Sequence, residues 1–235
     1  MTEKKAGKTV TEAQALSILG ERRFLSAGRV AAAWNKMIKE RRTEHAIPTI
    51  EPAAGLPIRY GEKTLKEVAE DTGWYLIYDP GFSLKDTRAI LGTDTERQPC
   101  FRGDNDWWFA EREDYWAGVS AEPAYYLVRM EGLFSLDNPA RDWDWQDEQI
   151  KQMGEAFERT PTRIVVNACI SCFLLNNQRF LEATYNFGPE MDADYCFLVT
   201  NFEPRGLNLG HWLRNDWGGY WVSGLTTSVA RKFDA

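Results

Sequence analysis

The chain has 235 residues with a net charge of −7, and ten of them are Trp. That length can bury a full core, as one domain with an extension or as two small domains. No apolar run approaches the roughly 20 residues needed to span a bilayer. The start, Met1-Thr-Glu-Lys-Lys-Ala-Gly-Lys, is not followed by the apolar stretch of a signal peptide, so a cytoplasmic protein is the default expectation, with display on a virus particle or cell surface as the alternative.

The charge is unevenly distributed. Residues 1 to 43 hold ten Lys or Arg against four Glu, a balance of +6, and the remainder carries −13. A basic arm on an acidic body is expected to dock on that body or to mediate oligomerisation, ahead of binding nucleic acid. Within it, Thr11-Glu-Ala-Gln-Ala-Leu-Ser-Ile-Leu predicts a short helix capped by Thr11 and ended by Gly20. Ser26 then precedes a second helix over 27–42, with Val30, Trp34, Met37 and Ile38 on one apolar stripe.

Residues 43–57 contain Pro48, Pro52, Gly55 and Pro57, a linker composition. The expected organisation is therefore a basic helical extension over 1–43, a linker over 44–60 and a main domain over 61–235. The main domain opens with a short helix, Thr64-Leu-Lys-Glu-Val-Ala-Glu, and a strand, Gly73-Trp-Tyr-Leu-Ile-Tyr-Asp79, that ends in the turn Asp79-Pro-Gly81. Residues 99–147 are dense in Trp and Asp and are expected to form ordered loops around one clear strand, Ala124 to Met130. Thr160-Pro-Thr-Arg then starts a buried helix from Pro161 to about Leu175, ending near Asn176-Asn177. Strands are expected at Arg179 to Tyr185, Tyr195 to Thr200 and Thr226 to Phe233, with an irregular Trp-rich loop between the last two.

Catalytic patterns are sparse. The two histidines are His45, in the linker, and His211, and there is neither a phosphate loop nor a dinucleotide fingerprint. Cys169-Ile-Ser-Cys172 matches Cys-x-x-Cys, but it lies in the apolar run from Ile164 to Leu175, which favours buried core cysteines. Cys100 and Cys196 are the other two, too few for a disulfide framework. The carboxylate pairs Asp104/Asp106, Asp142/Asp144 and Asp192/Asp194 lack calcium-loop spacing. The expectation is a protein that is not an enzyme and holds no cofactor and no metal.

The closing segment carries the strongest signal. From Gly206 to Gly224, small, polar and aromatic residues follow one another without helical or strand period. Trp and Tyr supply rigid contact area there, and Asn, Ser and Gly supply adaptable hydrogen bonds, the composition of a binding surface. From Pro204 to Arg231 there are 28 consecutive residues without Lys, Glu, Gln or Met, where the frequency of these four in the whole chain would give about five.

Four pieces, Gly73-Trp-Tyr-Leu-Ile, Thr162-Arg-Ile-Val-Val, Phe202-Glu-Pro-Arg-Gly-Leu-Asn-Leu and Ser228-Val-Ala-Arg-Lys-Phe233, give the chain a further character. Over residues 64–233 it resembles the variable proteins of diversity-generating retroelements. The resemblance implies an α+β, C-type lectin-like fold with antiparallel strands, few helices and long ordered loops, here preceded by the N-terminal helical extension. It implies a variable region at about 204–231, rewritten by an error-prone reverse transcriptase that substitutes adenines. Codons with two leading adenines and a closing pyrimidine, varied at those adenines, do not yield Lys, Glu, Gln, Met or Trp, in keeping with the composition except at Trp212, Trp217 and Trp221. The candidate ligand-binding residues are Asn208, Gly210, His211, Leu213, Asn215, Asp216, Gly219, Tyr220 and Ser223, with Trp217 and Trp221 as aromatic anchors. The partner would be an unknown protein or surface ligand.

Two alternatives stay open. Related lectin-like folds occur in formylglycine-generating enzymes, which use cysteine and copper. Glu203-Pro204 with Asn215-Asp216 is also similar to the calcium and sugar ligands of C-type lectins, although Arg205 and Arg214 depart from that pattern.

Overall fold

A run of six consecutive buried residues, Trp74–Asp79, forms the strand around which the molecule is built. A strand with both faces buried reads as a continuous apolar run in place of an alternating one, and here helices cover what solvent would otherwise reach. The computed structural model describes residues 9–41, 49–52, 55–104, 108, 116–131, 133, 143–182, 184–192, 195–213 and 225–234.

Among these are six α-helices: α1 (Glu12–Arg23), α2 (Ala27–Arg41), α3 (Glu62–Ala69), α4 (Leu84–Leu91), α5 (Trp143–Met153) and α6 (Thr162–Asn176). The strands are β1 (Thr9–Val10), β2 (Phe24–Leu25), β3 (Ile58–Gly61), β4 (Trp74–Asp79), β5 (Ala124–Arg129), β6 (Phe157–Arg159), β7 (Tyr185–Asp192), β8 (Tyr195–Glu203), β9 (Gly206–Leu213), β10 (Leu225–Thr226) and β11 (Val229–Arg231). They make a five-stranded sheet in the order β2-β4-β5-β11-β6, a four-stranded sheet in the order β10-β7-β8-β9, and the pair β1-β3. Pairing is antiparallel except for β2 with β4 and β10 with β7. The architecture is α+β, and no described helix is long and apolar enough to cross a membrane.

The N-terminal helices form as their sequence dictates. Thr11 accepts from the Gln14 N–H while Gln14 reaches back to the Thr11 N–H, a complete capping box. Gly20, at φ 74°, breaks the helical path where the sequence placed the end. In α2, Val30, Trp34 and Met37 are buried and Ile38 is partly buried. These residues belong to the same core as β4 and α6: the Trp34 Nε1–H donates to Ser171 Oγ at 3.0 Å, and β2 extends the central sheet alongside β4.

The arginines of this segment find carbonyls on the body. Arg23 donates to the Ala69 and Asp71 carbonyls at the end of α3, and Arg41 to the Leu91 carbonyl at the end of α4. Helix C-termini leave such carbonyls unsatisfied, and the dipole there favours a cation. The described part of this segment, residues 9–41, thus packs on the rest of the described fold. Of the linker, 44–48 and 53–54 lie outside the described residues, and so does His45. Ile50 is buried, and its N–H and C=O both bond the Asn35 side chain.

The buried helix runs over Thr162–Asn176 and ends on Asn177 in the left-handed conformation, close to the expected stop. A buried polar network fastens β4 to it. Arg163 Nη1 lies 2.5 Å from Asp79 Oδ2, Asn167 Nδ2 donates to Asp79 Oδ1 at 2.8 Å, and the Thr87 hydroxyl donates to Asn167 Oδ1 at 3.0 Å. The charge of Asp79, 2% exposed, is held by one guanidinium and one amide, the pairing a buried carboxylate requires.

Several expectations are corrected. Trp143 to Asp147 opens α5 where a loop was expected: Gln146 and Ile150 turn inward at helical spacing, and Trp143 packs on Phe187, Cys196 and Leu198. Residues 179–182 and 184 are not in a strand, and β7 begins at Tyr185. The expected strand over Thr226 to Phe233 is two short strands in different sheets, because the chain crosses between them at Thr227-Ser228. The irregular loop after Gly206 is, up to Leu213, the strand β9. Helix α4 and strand β6 also lay outside the sequence reading.

Candidate functional site

The expected binding segment starts as one arm of a hairpin. Strands β8 and β9 pair from Tyr195↔Leu213 to Glu203↔Gly206, and Pro204-Arg205 form the two-residue turn. Gly206 has φ 116°, and a Cβ there would lie 2.8 Å from the Phe101 carbonyl carbon and 2.9 Å from the Cys100 oxygen. Only glycine fits that backbone at that distance. The close approach serves a purpose: Leu207 N–H donates to Cys100 C=O at 2.8 Å, and Arg102 N–H to Leu207 C=O at 3.0 Å. The hairpin is therefore held by backbone from residues 100–102, with Gln98 adding a bond to the Pro204 carbonyl at 2.8 Å.

Along β9, burial follows the period of a strand. Leu207 and Leu209 are 1% exposed and belong to the main core, Asn208 and Gly210 are half-buried, and His211 is exposed. At His211 the strand has run past the core, and its ring meets Tyr195 edge-on at 5.1 Å. Gly210 is tighter than a freely varied position should be: a Cβ there would lie 2.7 Å from Thr200 Cγ2, so any side chain must turn Thr200, whose hydroxyl bonds the Asn208 carbonyl. Leu213 is the last residue of the strand. Asn215, Asp216, Trp217, Gly219, Tyr220, Trp221 and Ser223 lie outside the described residues. The structure thus brings Asn208, Gly210, His211 and Leu213 onto one strand.

Two neighbours escaped the sequence reading. Met191 and Tyr195, 40% and 42% exposed, stand at the same end of the sheet as His211. The signal for them was the polar Asp192-Ala-Asp194 between two strand-like apolar runs, a hairpin pattern.

The support beneath the sheet is polar and specific. Glu190 on β7 accepts from the Thr162 N–H at 2.9 Å and from its hydroxyl at 2.6 Å, capping the buried helix. Burial raises its carboxyl above the usual range. Arg159 is 6% exposed and donates to Gln146, Thr227 and the Trp143 carbonyl, with the Trp143 ring 4.4 Å away. Burial lowers its guanidinium to about 10.

Cys169 and Cys172 are fully buried, and desolvation raises both thiols, Cys169 to about 12. Nucleophilic and copper chemistry uses the thiolate, and these positions oppose its formation. Glu203 accepts from Asn201 and faces Arg205. Among the described residues no group of three or more His, Cys, Asp or Glu is placed to hold a metal ion. A concavity of about 830 Å³ between α5 and β6 is lined by Trp143, Lys151, Phe157 and Arg159, and by no residue of β9. A smaller one of about 450 Å³ lies at the hairpin turn, against Arg102, Asp104 and Arg205. Hydrogen bonding to Arg102 holds the Asp104 carboxyl below its usual range.

No protein-family model, curated protein or solved structure matches the chain.

Proposed function

We propose that this protein is a non-enzymatic, receptor-type binder of the diversity-generating retroelement class, with a C-type lectin-like fold that presents a diversified C-terminal surface to a protein or surface ligand. One observation supports the reading: the stretch devoid of Lys, Glu, Gln and Met begins at the turn of a hairpin pinned by backbone bonds, includes β9, and ends in the central sheet at Val229–Arg231. A segment that tolerates many side chains needs its two ends fixed by other parts of the protein. In this reading Asn208, His211, Leu213, Asn215, Asp216, Gly219, Tyr220 and Ser223 are the changeable part, Trp217 and Trp221 its aromatic anchors, and Leu207, Leu209 and Gly206 the frame. Gly210 joins the changeable part only where Thr200 yields.

The genomic neighbourhood and population sequencing of the gene test this reading. It expects a reverse transcriptase gene and a near-identical template repeat nearby, and substitutions concentrated at adenines within the codons for 204–231. Substitutions spread evenly along the gene, with no such repeat, would overturn it.

A further inference from the structure

Three elements meet where the chain crosses from the four-stranded to the five-stranded sheet. Thr160 follows β6, Asn186 lies on β7, and Ser228 stands between β10 and β11; each is 0% exposed. Backbone bonds hold them together, since the Thr160 N–H donates to the Ser228 carbonyl at 3.0 Å and the Ser228 N–H donates to Asn186 Oδ1. Yet Thr160 Oγ1, Asn186 Nδ2 and Ser228 Oγ have no hydrogen-bond partner among the described residues. The next polar group along the chain is already engaged: Thr227 Oγ1 accepts from Arg159 Nη1 at 3.2 Å and donates to the Phe187 carbonyl at 2.9 Å.

Buried polar groups in native proteins are rarely left unpaired, and three such groups gathered from three elements call for a shared partner. We propose that this junction is a binding site for one ordered water molecule. Asn186 Nδ2 donates to the water oxygen, and the two water hydrogens reach Ser228 Oγ and Thr160 Oγ1. Three bonds are what a buried water ordinarily makes. The three side chains are neutral, which suits a neutral guest, because an ion would carry its charge into wholly buried surroundings. The water ties Ser228, in the crossing between β10 and β11, to the residue after β6 and to β7. This inference is independent of the proposed function.

A high-resolution crystal structure of the full chain tests it directly. The expected result is a water within hydrogen-bonding distance, about 2.7–3.2 Å, of at least two of the three atoms. An unfilled site, an ion, a water touching one atom only, or side chains rotated onto protein partners would overturn it. Ser228→Ala gives an independent readout of thermal stability. If the hydroxyl holds a water, the melting temperature falls; if the hydroxyl has no partner, its removal leaves the melting temperature unchanged or raises it, and the proposal is lost.

Discussion

Gly206 and Gly20 both adopt positive φ, 116° and 74°, but their surroundings differ. Nothing lies within 4 Å of a Cβ built on Gly20, whereas one on Gly206 meets the backbone of Cys100, Phe101 and Arg102. Gly20→Ala should therefore cost only conformational strain, on the order of 1 kcal/mol. Gly206→Ala should cost about 3 kcal/mol or more, since strain is added to displacement of a paired backbone segment. Denaturant unfolding of the two variants checks the order, and equal costs would contradict the account of the hairpin.

Asp71 gives a pH-dependent prediction at the same scale. Desolvation pushes its carboxyl up, but bonds from the Gly73 N–H and Arg129 Nε, each at 2.9 Å, outweigh that and leave it below the usual range. A carboxyl whose folded pKa is depressed stabilises the fold above its unfolded pKa, and the contribution is lost as pH falls through the folded value. Asp71→Asn should lower the melting temperature at neutral pH, and the gap to the unsubstituted protein should close in acid. A gap constant with pH would rule this out.

Helices with a strong period were legible in the sequence. Ser26 and the stripe from Val30 to Ile38 located α2 to within a residue, and Thr160-Pro161 located the start of the buried helix. What escaped was structure whose pattern is short or contradicted by composition. Helix α5 begins with Trp-Asp-Trp, residues associated with loops, and becomes a helix because Trp143 has a pocket formed by Phe187, Cys196 and Leu198. Strand β9 was hidden by its glycines and asparagine, which supply no alternating apolar signal; its pairing with β8 and the backbone of 100–102 supplies the order instead. At the candidate site, composition pointed to the segment but gave no warning that Gly210 abuts Thr200, because that contact depends on strand register.

The element most in need of a test is α2, since its residues read as an extension and pack as core. Trp34 is 0% exposed and bonded to Ser171. Trp34→Ala should destabilise the whole protein by about 3–5 kcal/mol, the cost of a large core truncation. Denaturation followed by a probe on the central sheet measures it. If that probe reported an unchanged midpoint, α2 would be a separable attachment.

For the molecule as a whole, the central sheet draws on distant parts of the chain: Phe24–Leu25, Trp74–Asp79, Ala124–Arg129, Val229–Arg231 and Phe157–Arg159, in spatial order. Such a sheet opens as one cooperative unit. Native-state hydrogen exchange should place the bonded amides of Tyr75 to Ile77 and of Ala230 in a single slowest class. A faster class for Ala230 would mean that the C-terminal strand frays independently. The buried cysteines give a second global readout: Cys169 and Cys172 should resist a thiol reagent near neutral pH until the protein unfolds. Rapid modification of the native protein would revive the cysteine-dependent enzyme reading.

The position of β11 between β5 and β6 bears on biosynthesis. On the ribosome, strands β4 and β5 emerge long before the partner that completes their sheet, and β6 has no other described neighbour within it. A message carrying a stop codon or frameshift anywhere in 204–224 therefore yields a chain lacking the strand that joins β5 to β6. Such products are expected to stay unfolded and be degraded, so only fully translated versions of the segment reach a folded form.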